Sequence, residues 1–262
     1  MFLALLLAGS TPSDPLQSAF RAAHRDYSAQ LTDKFAETTA DPSVIGQRFK
    51  FVGRLHNGQV TGAPPSDAWY SYDDGKLRLS FNPRDNYADV GISGPKYMVG
   101  IIGGARKPTR SYVGSNAYGL SARVQVERLE ENGLAMLERP EGEVSPPSKY
   151  STPMPPSIAA RLPPEPKDRY WVEYTLPGPQ AKRLARDAGL VVEGTIAALA
   201  DGKLSYCEGT YIDPKIDNPL EIYGSECWIG AKVSRIAFIR MSTGEVLKEW
   251  TAPAGQAGPC NC

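Results

Sequence analysis

The sequence predicts an α+β fold that is mostly antiparallel β, with an N-terminal helix and two small sandwich- or barrel-like β lobes joined by a Pro-rich linker. Three observations support this class. One long amphipathic stretch lies near the N-terminus, and short alternating segments bounded by turn residues fill most of the remaining chain. Nine prolines fall between positions 140 and 166 and divide the alternating segments into two groups.

Residues 13–139 are predicted to form the helix and the first β lobe. We expect the helix to run from Pro15 to about Glu37, because Asp14 is a suitable N-cap and proline suits the first helical position. Its apolar residues recur at spacings of three and four: Leu16, Phe20, Ala23, Tyr27, Leu31 and Phe35. His24 falls within the same stripe, which predicts a packed, hydrogen-bonded histidine at the edge of the core.

Alternating polar and apolar residues predict the strands of both lobes. Those of the first lobe are Arg48–Phe51, Ala68–Tyr72, Lys76–Phe81, Tyr97–Ile102, Tyr118–Leu129 and Leu134–Leu137. The linker, residues 140–166, marks the predicted domain boundary, because proline fixes φ and removes a backbone donor. The second lobe, residues 167–252, adds a short helix at Pro179–Ala188 that Gly189 follows. Its strands are Arg169–Thr175, Leu190–Leu199, Lys203–Cys207, Leu220–Tyr223, Cys227–Arg240 and Glu245–Trp250.

Residues 1–12 are interpreted as an export signal. Met1–Gly9 is an apolar run followed by small residues, which is typical of the hydrophobic region and cleavage zone of a signal peptide. The run is short and no Lys or Arg precedes it, so we expect the true translation start to lie upstream; the alternative is a buried N-terminal strand. We expect a periplasmic or secreted protein without a transmembrane segment after signal removal, because no run reaches the roughly 20 apolar residues that span a bilayer.

The four cysteines, an even number in an exported chain, suggest disulfide bonds. The segment between Cys207 and Cys227 contains two prolines and two glycines, so it leaves and returns to a sheet and places its two ends on adjacent strands. We therefore expect a Cys207–Cys227 bond. Cys260 and Cys262 lie in the predicted flexible tail, residues 253–262, and two ligands are too few for a closed metal site.

Composition and motifs exclude several classes of function. The chain is 41% hydrophobic and 22% charged, with 29 basic and 29 acidic residues, so the net basic field of a nucleic-acid-binding protein is absent. There are only two histidines, and His56 is interpreted as a solvated turn residue. The sequence has no Gly-x-Ser-x-Gly elbow and no zinc ligand pattern. We predict no catalytic residue, no metal ligand and no cofactor.

Two segments carry the residues that we predict to bind a ligand. The second predicted strand is rich in aromatic residues, and acidic residues lie in the loops beside it. The glycine-rich, basic segment Gly100–Arg110 could hold an anion through backbone N–H groups, although a hairpin tip with solvated charges is the simpler interpretation. The predicted ligand-binding residues are Trp69, Tyr70, Tyr72, Asp73, Arg106 and Lys107.

The expected function is an exported, non-catalytic binding or structural module of the bacterial-type cell envelope, with an unknown envelope protein or glycan as its partner. The alternative is a carbohydrate- or wall-polymer-active hydrolase that uses loop carboxylates. Its candidate acids are Asp67, Asp73, Asp74, Asp85 and Asp89. An inward cleft that pairs two acids over aromatic rings, with one pKa raised, would favour the enzyme, and a flat or edge-strand surface would favour binding.

Overall fold

The computed structural model describes residues 14–33, 41–58, 66–85, 97–115, 118–144 and 167–253, and these confirm an α+β fold that is mostly β. The helices are α1 (Pro15–Thr32), a short 3-10 helix (Pro42–Val44) and α2 (Gly178–Asp187). The strands are β1 (Arg48–Arg54), β2 (His56–Asn57), β3 (Ala68–Asp73), β4 (Lys76–Phe81), β5 (Arg84–Asp85), β6 (Met98–Ser115), β7 (Ser121–Glu138), β8 (Tyr170–Thr175), β9 (Ala188–Ile196), β10 (Ser205–Ile212), β11 (Leu220–Arg240) and β12 (Val246–Thr251).

A large sheet of eight strands is organised around β11. Its main order is β1-β9-β11-β7-β6-β5, and β10 and β12 also pair with β11. β11 runs parallel to β7 and antiparallel to β9, β10 and β12. Because β11 is 21 residues long, its first half lies between β10 and β7 and its second half between β9 and β12.

A second sheet of four strands, β2-β3-β4-β8, packs on the large one. Leu79, Phe81 and Tyr170 of this sheet are completely buried in one hydrophobic core together with Leu134 and Ile229 of the large sheet. The core residues of both sheets alternate along their strands with residues of the opposite face, as a half-buried strand requires.

Strands from both sides of the Pro-rich segment build both sheets. β8 pairs with β4, β9 pairs with β1, and β11 pairs with β7. Residues 140–144, expected at the start of the linker, also pack on the fold: Glu143 forms a β-bridge with Arg169, and the Pro140 carbonyl accepts a 2.7 Å hydrogen bond from the Tyr170 hydroxyl. The sequence division at 140–166 therefore does not coincide with a division between sheets; residues 145–166 lie outside the described ranges.

Helix α1 begins as its cap predicts. The carboxylate of Asp14 accepts a hydrogen bond from the Leu16 N–H at 3.0 Å, and Pro15 occupies the first turn. Leu16, Phe20 and Ala23 are buried against the large sheet, whereas Leu31, in the last turn, is 70% exposed. The helix ends at Thr32, five residues before the expected end, and Phe35 lies outside the described residues.

Strand β6 differs from its predicted course. It continues through Gly103 and Gly104 to Ser115, so the interpretation of Gly100–Arg110 as a hairpin tip is wrong. The pairing with β7 shifts register between Ile101 and Gly103 and again between Pro108 and Arg110. A bulge near Gly103 and another near Pro108 thus accommodate these residues, and the strand continues in the same direction.

The predicted Cys207–Cys227 disulfide is confirmed. The two residues lie directly opposite each other on β10 and β11, with an S–S distance of 2.06 Å and a Cα–Cα distance of 4.1 Å. Cys260, Cys262 and the predicted export signal at 1–12 lie outside the described residues.

Candidate functional site

The ligand-binding residues predicted on β3 do not share one face of the small sheet. Trp69 and Asp73 point to the outer face, and Tyr70 and Tyr72 to the face that packs on the core, because successive strand residues alternate. Tyr70 packs against the hydrophobic core, and Tyr72 donates a 3.1 Å hydrogen bond to the carbonyl of Leu176. A carbon atom added at Gly58 would lie 3.0 Å from the Trp69 ring, so the indole packs over that glycine.

The two predicted basic residues lie in the other sheet and point in opposite directions. Arg106 is half-buried and forms a 2.5 Å ion pair with Glu127 on β7. Lys107 is exposed on the opposite face, across from Arg128. The structure therefore does not bring the six residues together into one site.

A cluster of three tyrosines lies where the β6–β7 and β10–β11 hairpins end; we name Tyr112, Tyr211 and Tyr223 the tyrosine patch. Tyr211 and Tyr223 are directly paired across β10 and β11. Tyr112 reaches over β7 and donates a 2.8 Å hydrogen bond to the carboxylate of Glu221, which precedes Tyr223 by two residues and shares its face. The three phenol rings therefore lie on one face of the sheet, close to the carboxylate of Glu221.

The carboxylate of Glu221 affects two hydroxyls of the patch, those of Tyr112 and Tyr211. The hydrogen bond to Glu221 raises the pKa of Tyr112, and partial burial together with the Glu221 charge raises the pKa of Tyr211. The O–H of Tyr112 is already donated to Glu221, so the patch offers a partner mainly the flat apolar surface of its rings.

A small groove adjoins the patch. It has a volume of about 260 Å³, and the loop between β10 and β11 forms one of its walls. Its lining residues are Tyr112, Gly114, Ser115, Ala122, Val124, Pro214, Lys215 and Ile216. Val124 is buried at its floor and Ile216 is 47% exposed at its edge, so the groove is apolar inside and open to solvent.

Cations line the same face of the sheet beside the tyrosines. Arg128 lies next to Tyr223 in the parallel β7–β11 pairing and forms a 3.2 Å ion pair with Glu130. Lys107 pairs opposite Arg128, and Arg110 pairs opposite Val126, so both project to this face. The surface combines aromatic rings with basic side chains along its border.

The exposed apolar side chains concentrate at this end of the molecule. Among the residues that the structure describes, eight of the fourteen exposed large hydrophobic side chains belong to the two hairpins and their turns. They are Tyr112, Val113, Tyr118, Leu120, Tyr211, Ile212, Ile216 and Tyr223. A concentration of this kind is typical of interaction sites, whereas single exposed hydrophobic residues are ordinary.

Two acids that the sequence analysis did not single out form a pair on the opposite face of the large sheet. Glu131 on β7 lies beside Glu226 on β11, and the two carboxyl groups are hydrogen-bonded to each other. Burial and the neighbouring Glu226 raise the pKa of Glu131 to about 8, so Glu131 keeps its proton at neutral pH. Thr210 donates a 2.5 Å hydrogen bond to Glu226.

This carboxyl pair bears on the hydrolase alternative. Glycoside hydrolysis needs two carboxyl groups about 5 to 10 Å apart, with the sugar bond between them. Carboxyl groups that share a hydrogen bond are closer than that. Of the loop acids expected for such an enzyme, Asp67 accepts a 2.8 Å hydrogen bond from the N–H of Ile101, and burial raises its pKa. The side chains of Asp85 and Asp89 lie outside the described residues.

The two histidines have different outcomes. His24 is packed and hydrogen-bonded at the edge of the core, as predicted. His56 is not a solvated turn residue: it lies in β2, half-buried, and burial lowers its pKa. Its Nδ1 is buried without a hydrogen-bond partner among the described residues. The turn signal at Asn57–Gly58 led to this error, because it does not reveal that β2 pairs with β3.

The described residues offer neither a metal-binding cluster nor a membrane-spanning helix. No group of three or more His, Cys, Asp or Glu side chains is arranged there to hold a metal ion. No helix in the described ranges has the length and apolarity needed to cross a membrane. Comparison with protein-family models, with curated proteins and with solved structures found no significant match to this chain.

Proposed function

We propose that the protein is an exported, non-catalytic binding module of the cell envelope, and that it binds a protein partner through the tyrosine patch. The observation that carries this proposal is the concentration of exposed aromatic and aliphatic side chains at the ends of two adjacent hairpins. Sheets that end in long hairpins hold such side chains on a rigid support, which reduces the entropy lost on binding.

The chemistry of the surface favours a protein over a glycan. Tyrosine and arginine are enriched at protein interfaces, where they supply large buried area and directional hydrogen bonds. Ile216, 47% exposed, adds aliphatic surface in the groove beside Tyr112. Aliphatic side chains match apolar side chains of a partner, whereas a sugar offers hydroxyl groups that need polar partners.

Export rests on two supports. The apolar run Met1–Gly9 is typical of a signal peptide, and the Cys207–Cys227 disulfide fits an oxidising compartment such as the periplasm or the extracellular space. N-terminal sequencing of the native protein tests this part directly. The mature chain should begin near Ser10, and a native chain that still begins at Met1 would contradict it.

The hydrolase remains the alternative, and Glu131 with its raised pKa is the feature that favours it. The mutual hydrogen bond of Glu131 and Glu226 leaves no space for a sugar bond between them. We therefore expect purified protein to release no reducing ends from wall polysaccharide. Release that is lost in the Glu131→Gln variant would establish the enzyme instead.

Site-specific photo-crosslinking tests the binding surface. A photoreactive phenylalanine analogue is placed at Tyr112 or Tyr211 in the full chain, expressed in its native host and irradiated, and the adducts are identified by mass spectrometry. Tyr72 is the matched control, because it is 37% exposed against 39% for Tyr112 and lies on β3 among the residues first expected to bind a ligand. The same protein should be captured at both patch positions and not at Tyr72.

A binding measurement separates a specific partner from a chance neighbour. With the captured protein purified, Tyr223→Ser should weaken the Kd about tenfold or more, as loss of a buried interface tyrosine does. Val246→Ser serves as the control, because Val246 is similarly exposed, at 45% against 40%, and lies on β12. Capture only at Tyr72, or equal Kd values for both variants, would refute the patch.

A further inference from the structure

The Cys207–Cys227 disulfide lies against a histidine that is held at both ring nitrogens. His24 Nδ1 lies 3.4 Å from the sulfur of Cys227 and 2.8 Å from the hydroxyl of Ser225. His24 Nε2 lies 2.9 Å from the side-chain oxygen of Asn132. Because an amide oxygen only accepts hydrogen bonds, Nε2 carries a proton and Nδ1 is directed toward the sulfur and the Ser225 hydroxyl.

Three parts of the fold assemble this group. Helix α1 supplies His24, the parallel pairing of β7 with β11 places Asn132 directly beside Cys227, and β10 supplies Cys207. Ser225 precedes Cys227 by two residues on the same face of β11. The Cys227 sulfur, the His24 imidazole and the Asn132 amide thus form a continuous chain of contacts, in which the amide fixes the orientation of the ring.

The two sulfurs differ in their access to solvent. Cys227 is completely buried, whereas Cys207 is half-buried and lines a cavity of about 520 Å³ between α1 and β10. Tyr27, Lys203 and Ser205 are among the other residues of that cavity. The cavity gives an external thiol a route to Cys207, whose sulfur lies 3.6 Å from the Ala23 carbonyl of α1, but not to the buried Cys227. A second cavity, of about 510 Å³, reaches His24 and Asn132 and gives the imidazole access to protons from solvent.

We propose that Cys207–Cys227 is an exchange-active disulfide that reacts with small monothiols, with Cys207 as the sulfur that is attacked and His24 as the catalytic residue at the departing sulfur. The thiolate of the monothiol bonds to Cys207, the Cys207–Cys227 bond breaks, and its electron pair leaves with Cys227. The proton lost by the monothiol passes through solvent to His24 Nδ1. The products are a mixed disulfide at Cys207 and a Cys227 thiolate beside an imidazolium.

The reverse step uses the same atoms. The Cys227 thiolate attacks the sulfur of Cys207 in the mixed disulfide, re-forms the original bond and releases the monothiol as its thiolate, which takes back a proton as His24 loses one. Attack by a second monothiol instead releases the small disulfide and leaves both cysteines reduced. Asn132 acts as a positioning residue, because its oxygen keeps Nδ1 directed at the sulfur in every step.

The first experiment uses the wild-type full chain. Native protein is incubated with glutathione at one fixed pH, exchange is stopped with acid, and peptide mapping by mass spectrometry locates the adduct, with Cys260 and Cys262 read on their own peptide. The expected adduct is at Cys207, with Cys227 free. An adduct mainly at Cys227, or none at either residue until denaturant unfolds the protein, would overturn the proposal.

The second experiment tests His24 by rate. His24→Gln should slow the formation of the Cys207 adduct about tenfold or more, because the amide cannot hold the proton opposite the thiolate. His56→Gln is the matched control, since His56 is the other histidine of the chain and lies in β2. Equal rates for H24Q and wild type would remove His24 from the mechanism. Thermal unfolding of the oxidised variants confirms folding, and if H24Q does not fold, the wild-type adduct position alone decides.

Discussion

Glu131 has a raised pKa because the parallel pairing of β7 with β11 places it beside Glu226 in a partly buried position. Asp67 adds negative charge nearby and Arg84 adds positive charge, but burial has the larger effect on Glu131. The raised pKa of Glu131 thus follows from its burial and from a partner that is 95 residues away in the chain.

The Glu131→Gln substitution should flatten the pH dependence of stability. Folding raises the pKa of Glu131 from 4.5 to about 8, so between these values the folded protein binds a proton that the unfolded chain does not bind. The free energy of unfolding of the wild type therefore falls as pH rises through this window. Because Glu226 is half-buried and solvent screens the pair, we expect the substitution to remove about 1 to 3 kcal/mol of that fall between pH 5 and pH 8.

Urea denaturation at pH 5 and pH 8 measures the difference. Glu130→Gln is the matched control, because Glu130 is the adjacent residue of β7, points to the other face and pairs with Arg128. Its stability should change with pH as the wild type does. Identical pH dependence for E131Q and wild type would show that the pair ionises normally.

At the scale of elements, glycines decide where the strands of the large sheet approach each other. A Cβ atom at Gly224 of β11 would collide with the carbonyl of Leu129 on the paired strand β7, and one at Gly194 of β9 with the carbonyl of Lys232. Gly103 of β6 differs, because a Cβ there would lie 3.7 Å from the Phe51 ring, at an ordinary contact distance. The close approaches therefore depend on particular glycines of β9 and β11.

Gly224→Ala should destabilise the protein by about 2 kcal/mol or more, because β7 and β11 must move apart to admit the methyl group. Gly103→Ala, also a strand glycine, should change the free energy of unfolding by less than about 1 kcal/mol. Chemical denaturation of both variants makes the comparison. A Gly224→Ala variant as stable as the wild type would mean that the strands are not held at this spacing.

The sequence predicts those elements whose signals are local. Asp14 and Pro15 mark the start of α1, and alternation finds β3, β4 and β8 within a residue or two. Strand glycines gave false signals: Gly103 and Gly104 predicted an end for β6, and Gly189, expected after α2, is the second residue of β9. The sequence alone does not distinguish a glycine that allows close approach of a neighbouring strand from a glycine that forms a turn.

The candidate site was not predictable for a related reason. Tyr112, Tyr211 and Tyr223 lie on three strands, and only the register of β7 with β11 brings Tyr112 over Glu221. The predicted set on β3 followed from closeness along the chain, where neighbouring residues such as Trp69 and Tyr70 point to opposite faces. Cross-strand partners far apart in sequence leave no local pattern.

At the scale of the whole molecule, the two halves of the chain are interleaved. β8 lies beside β4 of the first half and contributes Tyr170 to the shared core, and β11 lies beside β7 of the first half. Separating the halves would expose the pairings β1–β9, β7–β11 and β4–β8 together with the buried side chains on them. The free energy needed to expose these apolar side chains to water is comparable to the free energy of unfolding of a whole domain.

Cleavage between the halves should therefore leave them associated. A specific protease site inserted between Tyr150 and Ser151, within the predicted linker, allows one cut to be made in the full chain. After cleavage, the two fragments should co-elute in size-exclusion chromatography under native conditions and separate only in denaturant, because β8, β9 and β11 remain paired with strands of the first half. The uncut protein with the same insertion controls for any effect of the inserted residues. Two fragments that elute separately in native buffer, each with β-sheet circular dichroism, would instead support two independent lobes.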